Sequence, residues 1–180
     1  AASEVCVGIM GLGVLGVDAA RKLSSLDYEV LGWSRTPKSM DFCSVFCGEN
    51  SLQDFLKRAK ILVCLLPLTA ETHGILCKKT FSCLPVNSYL VNAGRGGHLV
   101  DVDLLDALAS GQLGGAAIDV FQEEPLPKSH PFWGNEKIIV TPHVASFTNY
   151  KTAAKSIATN IKIWERGGTL EGVVNSSRGY

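Results

Sequence analysis

Neither sign of charge is in excess in this sequence: 17 Lys and Arg residues balance 17 Asp and Glu residues. There is also no long basic run, so the electrostatic footprint of a nucleic-acid binder is missing and nucleic acid is not an expected partner. No apolar run comes near the roughly 20 residues that a membrane-spanning helix requires, which removes the membrane as an expected partner. Ala1–Glu4 offers neither a basic stretch nor the start of a long apolar one, so it does not read as a secretory signal. The cysteines, Cys6, Cys43, Cys47, Cys64, Cys77 and Cys83, form no C-x-x-C pair. Cys43 and Cys47 have no His nearby to complete a metal site, and no metal is expected. Cys6 and Cys64 lie in apolar strand-like runs, where a thiol is a small hydrophobe. Buried, reduced thiols imply a reducing compartment. The cytoplasm is the expected one, with plastid or peroxisome as alternatives.

What the chain does have is apolar content, 46% against 19% charged residues, enough for one good core in 180 residues. Val5–Gly16, reading V-C-V-G-I-M-G-L-G-V-L-G, stands out. Its β-branched Val5, Val7 and Ile9 predict a buried strand. Gly11, Gly13 and Gly16 follow in G-x-G-x-x-G spacing, and Val14–Leu26 reads as a helix. In that context Gly11 makes the tight turn, Gly13 lets the backbone approach a pyrophosphate, and Gly16 lets the helix pack on the strand. The helix start, at Val14 and Leu15, offers unpaired N–H groups and a positive dipole end to phosphates. A dinucleotide is the expected ligand; the competing reading is a structural turn.

A second absence selects the dinucleotide. Glu29–Trp33 predicts the next strand, after which an acidic residue ordinarily binds the ribose 2′-hydroxyl of NAD. That position holds Ser34, Arg35 and Thr36, with Lys38 close behind and no carboxylate. An arginine and small hydroxyls suit a 2′-phosphate, so NADPH is the expected cofactor and NAD the alternative. The bland reading of Arg35 and Lys38 is two solvated loop charges.

Strands and helices then alternate. Ser44–Cys47 predicts a short third strand, and Ser51–Ala59 a helix with Ser51 and Asp54 in capping-box spacing. Ile61–Leu66 is a continuous apolar run, as a strand buried on both faces should be. Leu66 and Pro67 leave it at the carboxyl end, where ligands bind in open α/β sheets. Thr69–Leu76 and Lys78–Leu84 read as short helices, and Ser88–Asn92 as a strand running into Ala93-Gly94-Arg95-Gly96-Gly97. Asp101–Ser110 predicts a helix capped by Asp101 or Asp103 and stopped by Gly111. Gly114–Val120 is a strand ending at Asp119, and Lys137–Thr141 the last strand, with Phe121–Asn135 a loop between them. Thr148–Arg166 reads as a long helix and Val173–Tyr180 as a tail. The alternation predicts an α/β fold: a Rossmann-like, doubly wound parallel sheet with helices on both faces. Residues 1–147 are expected to form the NAD(P)-binding domain, and 148–180 a C-terminal helix and tail.

Arg95, Glu124 and His143 are the titratable residues that stand out at the strand carboxyl ends. An Arg in a glycine-rich turn can hold a carboxylate through two parallel hydrogen bonds. Taken singly, His143 also reads as a structural donor and Glu124 as a solvated loop acid. Together they sit in V-N-A-G-R-G-G at Val91–Gly97, D-V-F-Q-E-E-P-L-P at Asp119–Pro127 and T-P-H-V-A-S at Thr141–Ser146. These stretches resemble the arginine, glutamate and histidine motifs of the D-isomer-specific 2-hydroxyacid dehydrogenases, in the same order. W-S-R-T-P-K-S at Trp33–Ser39 and L-L-P-L-T-A-E-T at Leu65–Thr72 resemble the NADPH-preferring glyoxylate/hydroxypyruvate reductases within that family.

The resemblance runs from Val5 to Tyr180 and implies an oxidoreductase. Its reaction would be hydride transfer from NADPH to a small 2-oxo acid, glyoxylate or hydroxypyruvate, giving the 2-hydroxy acid. By the same resemblance Arg95 holds the substrate carboxylate, His143 is the general acid, and Glu124 pairs with His143. Asp119 binds the nicotinamide carboxamide, and Leu15, Leu66, Pro67, Thr72, Ala93, Gly94 and Ala145 line the cofactor cleft. The family folds as two domains, with the substrate domain built from the N-terminal part and the C-terminal end. The glycine loop here begins at Gly11, so the chain resembles the cofactor domain with its C-terminal return. A homodimer is implied for the complete enzyme. The alternative is a nucleotide-binding module without turnover, a cofactor sensor or partner-binding domain. The family's resemblance extends to transcriptional corepressors of that kind.

Overall fold

A computed structural model describes residues 1–146 and 148–174. It divides into two compact units, Ala1–His143 and Val144–Tyr180. The first unit holds β1 (Cys6–Met10), α1 (Val14–Ser24), β2 (Glu29–Ser34), β3 (Ser44–Cys47), α2 (Leu52–Leu56) and β4 (Ile61–Cys64). It continues through α3 (Lys78–Cys83), β5 (Ser88–Asn92), α4 (Asp101–Ala109), β6 (Leu113–Ile118) and β7 (Ile138–Val140). The seven strands form one parallel sheet in the order β3-β2-β1-β4-β5-β6-β7.

β1 is buried along its whole length because it runs between β2 and β4 with both faces covered. Its side chains alternate, as strand geometry requires. Cys6 and Met10 join Phe55, Leu62, Phe81, Leu90, Leu104 and Leu108 on one face. Val7 and Ile9 meet Ala20 and Val30 on the other, where α1 packs. The chain leaves β1 toward β2 and leaves β4 toward β5, in opposite directions across the sheet. Between the carboxyl ends of β1 and β4 lies the crevice that such sheets offer to ligands.

The register sharpens where that edge is. Met10 pairs with both Trp33 and Cys64. Cys64 pairs with Asn92, Asn92 with Ile118, and Ile118 with Val140. The next residues along these strands are Ser34, Gly11, Leu65, Ala93, Asp119 and Thr141. One hydrogen-bonded row therefore delivers six chain segments to the same edge at the same height.

Several local expectations are corrected. Thr69–Leu76 is not a helix; it makes a single turn through His73 N–H to Thr69 O at 2.9 Å, and Gly74, at φ +65°, ends it. Ser51 forms no capping box, because its hydroxyl donates to the carbonyls of Cys47 and Gly48 at 2.9 and 3.1 Å. Neither Asp101 nor Asp103 caps α4. Asp103 instead accepts the Lys78 N–H at 2.8 Å, at the start of α3, and Asp101 pairs with His130 at 3.4 Å. Cys47, Cys77 and Cys83 are half-buried rather than buried. All six thiols are free.

The second unit is built on α5 (Tyr150–Glu165). Asn149 caps it, accepting the N–H groups of Lys151 and Thr152 at 3.1 and 3.3 Å. Asn160 ties the following turn back through two bonds to Glu171, at 3.0 and 3.1 Å. The end of the expected tail, 175–180, lies outside the described residues. No helix among the described residues is long and apolar enough to cross a membrane.

Candidate active site

Gly11 and Gly16 make the turn and the packing contact that their spacing suggests. Gly11 sits at φ +100°, a region that side chains rarely adopt, and a Cβ there would lie 2.7 Å from Leu65 O. A Cβ on Gly16 would lie 1.9 Å from Gly11 O, so α1 can rest on β1 only with glycine there. At Gly13 a Cβ would meet no protein atom within 4 Å. Packing of the chain does not require glycine at this position, and the space in front of it is open. Gly13 is also the N-cap of α1, with no side chain capping the helix. The first N–H groups of α1 therefore have no capping side chain, and Val14 and Leu15 project beside them, 89% and 57% exposed.

The turn after β2 lies next to this loop. Ser34 is buried and donates to Thr36 O at 2.7 Å, which folds the turn back on itself. Lys38 Nζ donates to Leu12 O at 2.5 Å, so its charge is anchored against the glycine loop. Arg35 is exposed. Its charge helps hold the Glu71 carboxyl below the usual range, behind the larger effect of a hydrogen bond with the Thr69 side chain. Arg35 and the segment after β4 thus approach each other. A separate cavity of about 710 Å³, lined by Val17, Arg21, Lys38 and Phe42 among others, contains none of the other candidate residues.

The segment after β4 is held by Thr72. Its hydroxyl donates to Pro67 O at 2.7 Å and accepts the Thr69 N–H at 2.8 Å. Across the crevice, β5 runs into the Arg95 turn. Asn92, fully buried, accepts the Gly94 N–H at 3.2 Å and donates to Arg95 O at 3.3 Å. Gly96 lets this turn touch the chain after β6, since a Cβ would lie 1.9 Å from the Phe121 backbone. The Arg95 guanidinium is exposed and donates to Gly94 O at 2.6 Å.

The last two strands complete the edge. Asp119 is 5% exposed and accepts the Thr141 hydroxyl at 2.6 Å. Beyond them His143 Nδ1 and Glu124 Oε2 stand 2.8 Å apart. Glu124 also accepts the Phe121 N–H at 2.9 Å. The contact with His143 first, and the Phe121 N–H second, hold the Glu124 carboxyl below its ordinary range, and the Arg95 charge acts in the same direction. His143 adopts φ +54°, a left-handed conformation unusual for a residue with a side chain. Such strain recurs at functional sites.

The structure therefore brings the glycine loop, Ser34–Lys38, Leu66–Thr72, Ala93–Arg95, Asp119, Glu124 and His143 to one edge of one unit. Ala145 belongs to the second unit. Among the described residues no group of three or more His, Cys, Asp or Glu side chains could hold a metal ion. Sequence reasoning missed His98. Buried at the end of the Arg95 turn, it accepts the Arg95 N–H at 3.1 Å and reaches Pro67 O at 3.2 Å. A single His beside two glycines gives little sequence signal of such a role.

Sheet order, glycine loop and strand-end cluster together define a Rossmann-like nucleotide-binding domain. The family model for the D-isomer specific 2-hydroxyacid dehydrogenase, NAD binding domain, matches residues 2–145, and the chain belongs to that family. A glyoxylate/hydroxypyruvate reductase A of Photorhabdus laumondii is 48% identical over 177 residues, 98% of this chain and 56% of that protein. One from Yersinia enterocolitica is 43% identical over 174 residues, 97% of this chain and 56% of that protein. The chain thus spans a little over half the length of these relatives. A D-isomer specific 2-hydroxyacid dehydrogenase of Xanthobacter autotrophicus, solved in complex with NADPH and MES, superposes with a TM-score of 0.97 at 41% identity. That match covers 99% of this chain and 74% of that one. An NADPH-dependent glyoxylate/hydroxypyruvate reductase of Sinorhizobium meliloti, in complex with NADP and sulfate, gives 0.96 at 42% identity, covering 99% and 58%.

Proposed function

We propose that this chain is the cofactor-binding part of an NADPH-dependent reductase that converts a small 2-oxo acid, glyoxylate or hydroxypyruvate, to its 2-hydroxy acid. The observation that carries this reading is the 2.8 Å contact between His143 and Glu124, at the same sheet edge as Arg95 and the glycine loop. The relatives' names and the NADP-bound neighbours support it. The six free thiols are consistent with a reducing compartment, for which cytoplasm, plastid and peroxisome all qualify.

The residues fit the dinucleotide. The α1 N-terminus has no side-chain cap, and the space at Gly13 is open. The α1 N–H groups would face the pyrophosphate. Ser34, Arg35 and Thr36 would take the 2′-phosphate, with the Lys38 charge beside them. Val14, Leu15, Leu66, Pro67, Thr72, Ala93 and Gly94 would form the walls, and Asp119 would hold the carboxamide. The bound cofactor supplies the hydride. Arg95 turns its guanidinium from Gly94 O to the substrate carboxylate, where two parallel N–H···O bonds orient the carbonyl. His143 donates a proton from Nε2 to the carbonyl oxygen, which becomes the 2-hydroxyl. Glu124 accepts the Nδ1–H, which aims Nε2 at the substrate and offsets the charge of the protonated ring.

Titration of this chain with NADPH and NADH, beside an NADPH-oxidation assay with both oxo acids, tests the reading. NADPH should bind more tightly, and Arg35→Ala should cost NADPH about tenfold or more while sparing NADH. In the active protein His143→Ala should lower turnover by about 10²–10⁴-fold. Glu124→Gln should move the alkaline limit of reduction to lower pH. Tighter binding of NADH, or an unchanged pH profile in Glu124→Gln, would overturn the respective assignment. NADPH binding without turnover would mark this chain as a nucleotide-binding module.

A further inference from the structure

His98 is a buried titratable group that the reductase scheme leaves unused. It ends the short turn Gly96–His98 and is 0% exposed. Its Nδ1 lies 3.1 Å from the backbone nitrogen of Arg95, and its Nε2 lies 3.2 Å from Pro67 O. A backbone N–H can only donate and a carbonyl can only accept. Nε2 therefore carries the hydrogen and Nδ1 the lone pair, the one tautomer that satisfies both partners. The same Pro67 oxygen also takes the Thr72 hydroxyl at 2.7 Å. Gly94 packs against the ring, where a Cβ would come 3.0 Å from Nδ1. One imidazole thus ties the segment after β4 to the turn after β5.

We propose that His98 is a positioning residue, whose neutral Nε2–H tautomer fixes the Arg95 backbone against Pro67 and so sets the substrate-carboxylate anchor relative to the cofactor wall. The proposal rests on the reading of Arg95 as that anchor. A rigid link matters here because the donor and acceptor of a hydride must be held within a narrow range of distance and angle. Protonation would put a second N–H at Nδ1, facing the Arg95 N–H, donor against donor. Burial keeps His98 below the ordinary histidine range, and the charges of Arg95 on its own turn and His73 on the 67–76 segment act the same way. The backbone contacts with Pro67 and Arg95 oppose that shift without reversing it. A group whose folded pKa is depressed makes its contribution above its unfolded pKa. The link is therefore intact at neutral pH and is lost as pH falls through the depressed value.

Two variants separate the two bonds. In His98→Asn the side-chain oxygen stands where Nδ1 stood and still accepts the Arg95 N–H. In His98→Gln the amide nitrogen stands where Nε2 stood and still donates to Pro67, but the Arg95 N–H loses its acceptor. The probe is oxalate, a planar anion with the carboxylate of a 2-oxo acid, titrated into this chain saturated with NADPH. NADPH affinity is measured separately. His98→Gln should weaken oxalate about tenfold, the usual scale for one lost buried hydrogen bond, with NADPH affinity within about twofold of the parent. His98→Asn should keep oxalate within about threefold, on the same scale. Equal oxalate affinities in His98→Gln and His98→Asn would overturn the positioning role. Arg95→Gln is the control for the underlying reading. If it binds oxalate as the parent does, the anchor itself falls and the proposal with it; if it loses oxalate while His98→Gln does not, only the positioning role falls. A readout without any variant is the ¹⁵N spectrum of the imidazole, which should show the Nε2–H tautomer at pH 7; an Nδ1–H ring would overturn the proposal.

Discussion

Gly13 and Gly16 sit on one turn and answer to different neighbours. Gly16 faces the Gly11 carbonyl, and a methyl group there would overlap it at 1.9 Å. Gly16→Ala should therefore lose about 3 kcal/mol or more, beyond the usual overpacking cost, because the clashing atom is backbone and cannot step aside. Gly13 faces open space. Gly13→Ala should melt like the parent chain yet bind NADPH at least about tenfold more weakly. Melting curves and a cofactor titration on the same two samples check both; normal NADPH binding by Gly13→Ala would move the pyrophosphate elsewhere. The turn at Gly11 and the packing contact at Gly16 were legible from spacing, because G-x-G-x-x-G places both at fixed offsets. His98 was not, since both of its partners are backbone atoms, and a backbone atom leaves no residue type to read. The Glu124–His143 pair was legible only through its resemblance to a family. Glu124 and His143 are 19 residues apart, and only the fold of the loop after β6 brings them to 2.8 Å.

Among the elements, the buried strands followed closely from their apolar runs, and Gly111 stopped α4 as expected, at φ +78°. The helix expected over Thr69–Leu76 failed for a physical reason. The Thr72 hydroxyl closes the segment onto Pro67 O and Thr69 N–H, a side-chain-to-backbone pattern that competes with helix. Thr72→Val keeps the shape and removes the hydroxyl, leaving the Thr69 N–H without that acceptor. It should cost about 1–2 kcal/mol of stability and, if the segment lines the cleft as proposed, weaken NADPH binding. Denaturant titration and cofactor binding report the two effects separately. Unchanged stability would mean that Pro67, held through its contact with His98, suffices. Cap assignment failed for another reason: Asp103 has the right type and place for α4, but the Lys78 N–H at the start of α3 reaches it first. Local sequence cannot show which of two neighbouring helices an acid serves.

At the scale of the whole molecule, the parallel sheet and the positions of Arg95, Asp119 and His143 at strand ends emerged from alternation alone, while the strand order and the common height of those residues did not. That height comes from the pairing row Trp33, Met10, Cys64, Asn92, Ile118 and Val140. The row acts as a ruler shared by six loops that are distant in sequence. Its tolerance is one residue, because a strand advances about 3.3 Å per residue and turns its side chains over at each step. Deleting Val91 from within β5 should leave the other strands paired. It should also draw Arg95 back by about 3.3 Å and present the wrong face of the segment to the crevice. NADPH contacts made from β1 and β2 should survive, and oxalate binding should not. Lengthening the turn between α1 and β2, at the opposite end of the strands, should be tolerated far better. Variation in this protein is therefore cheap between the graduations and costly along them.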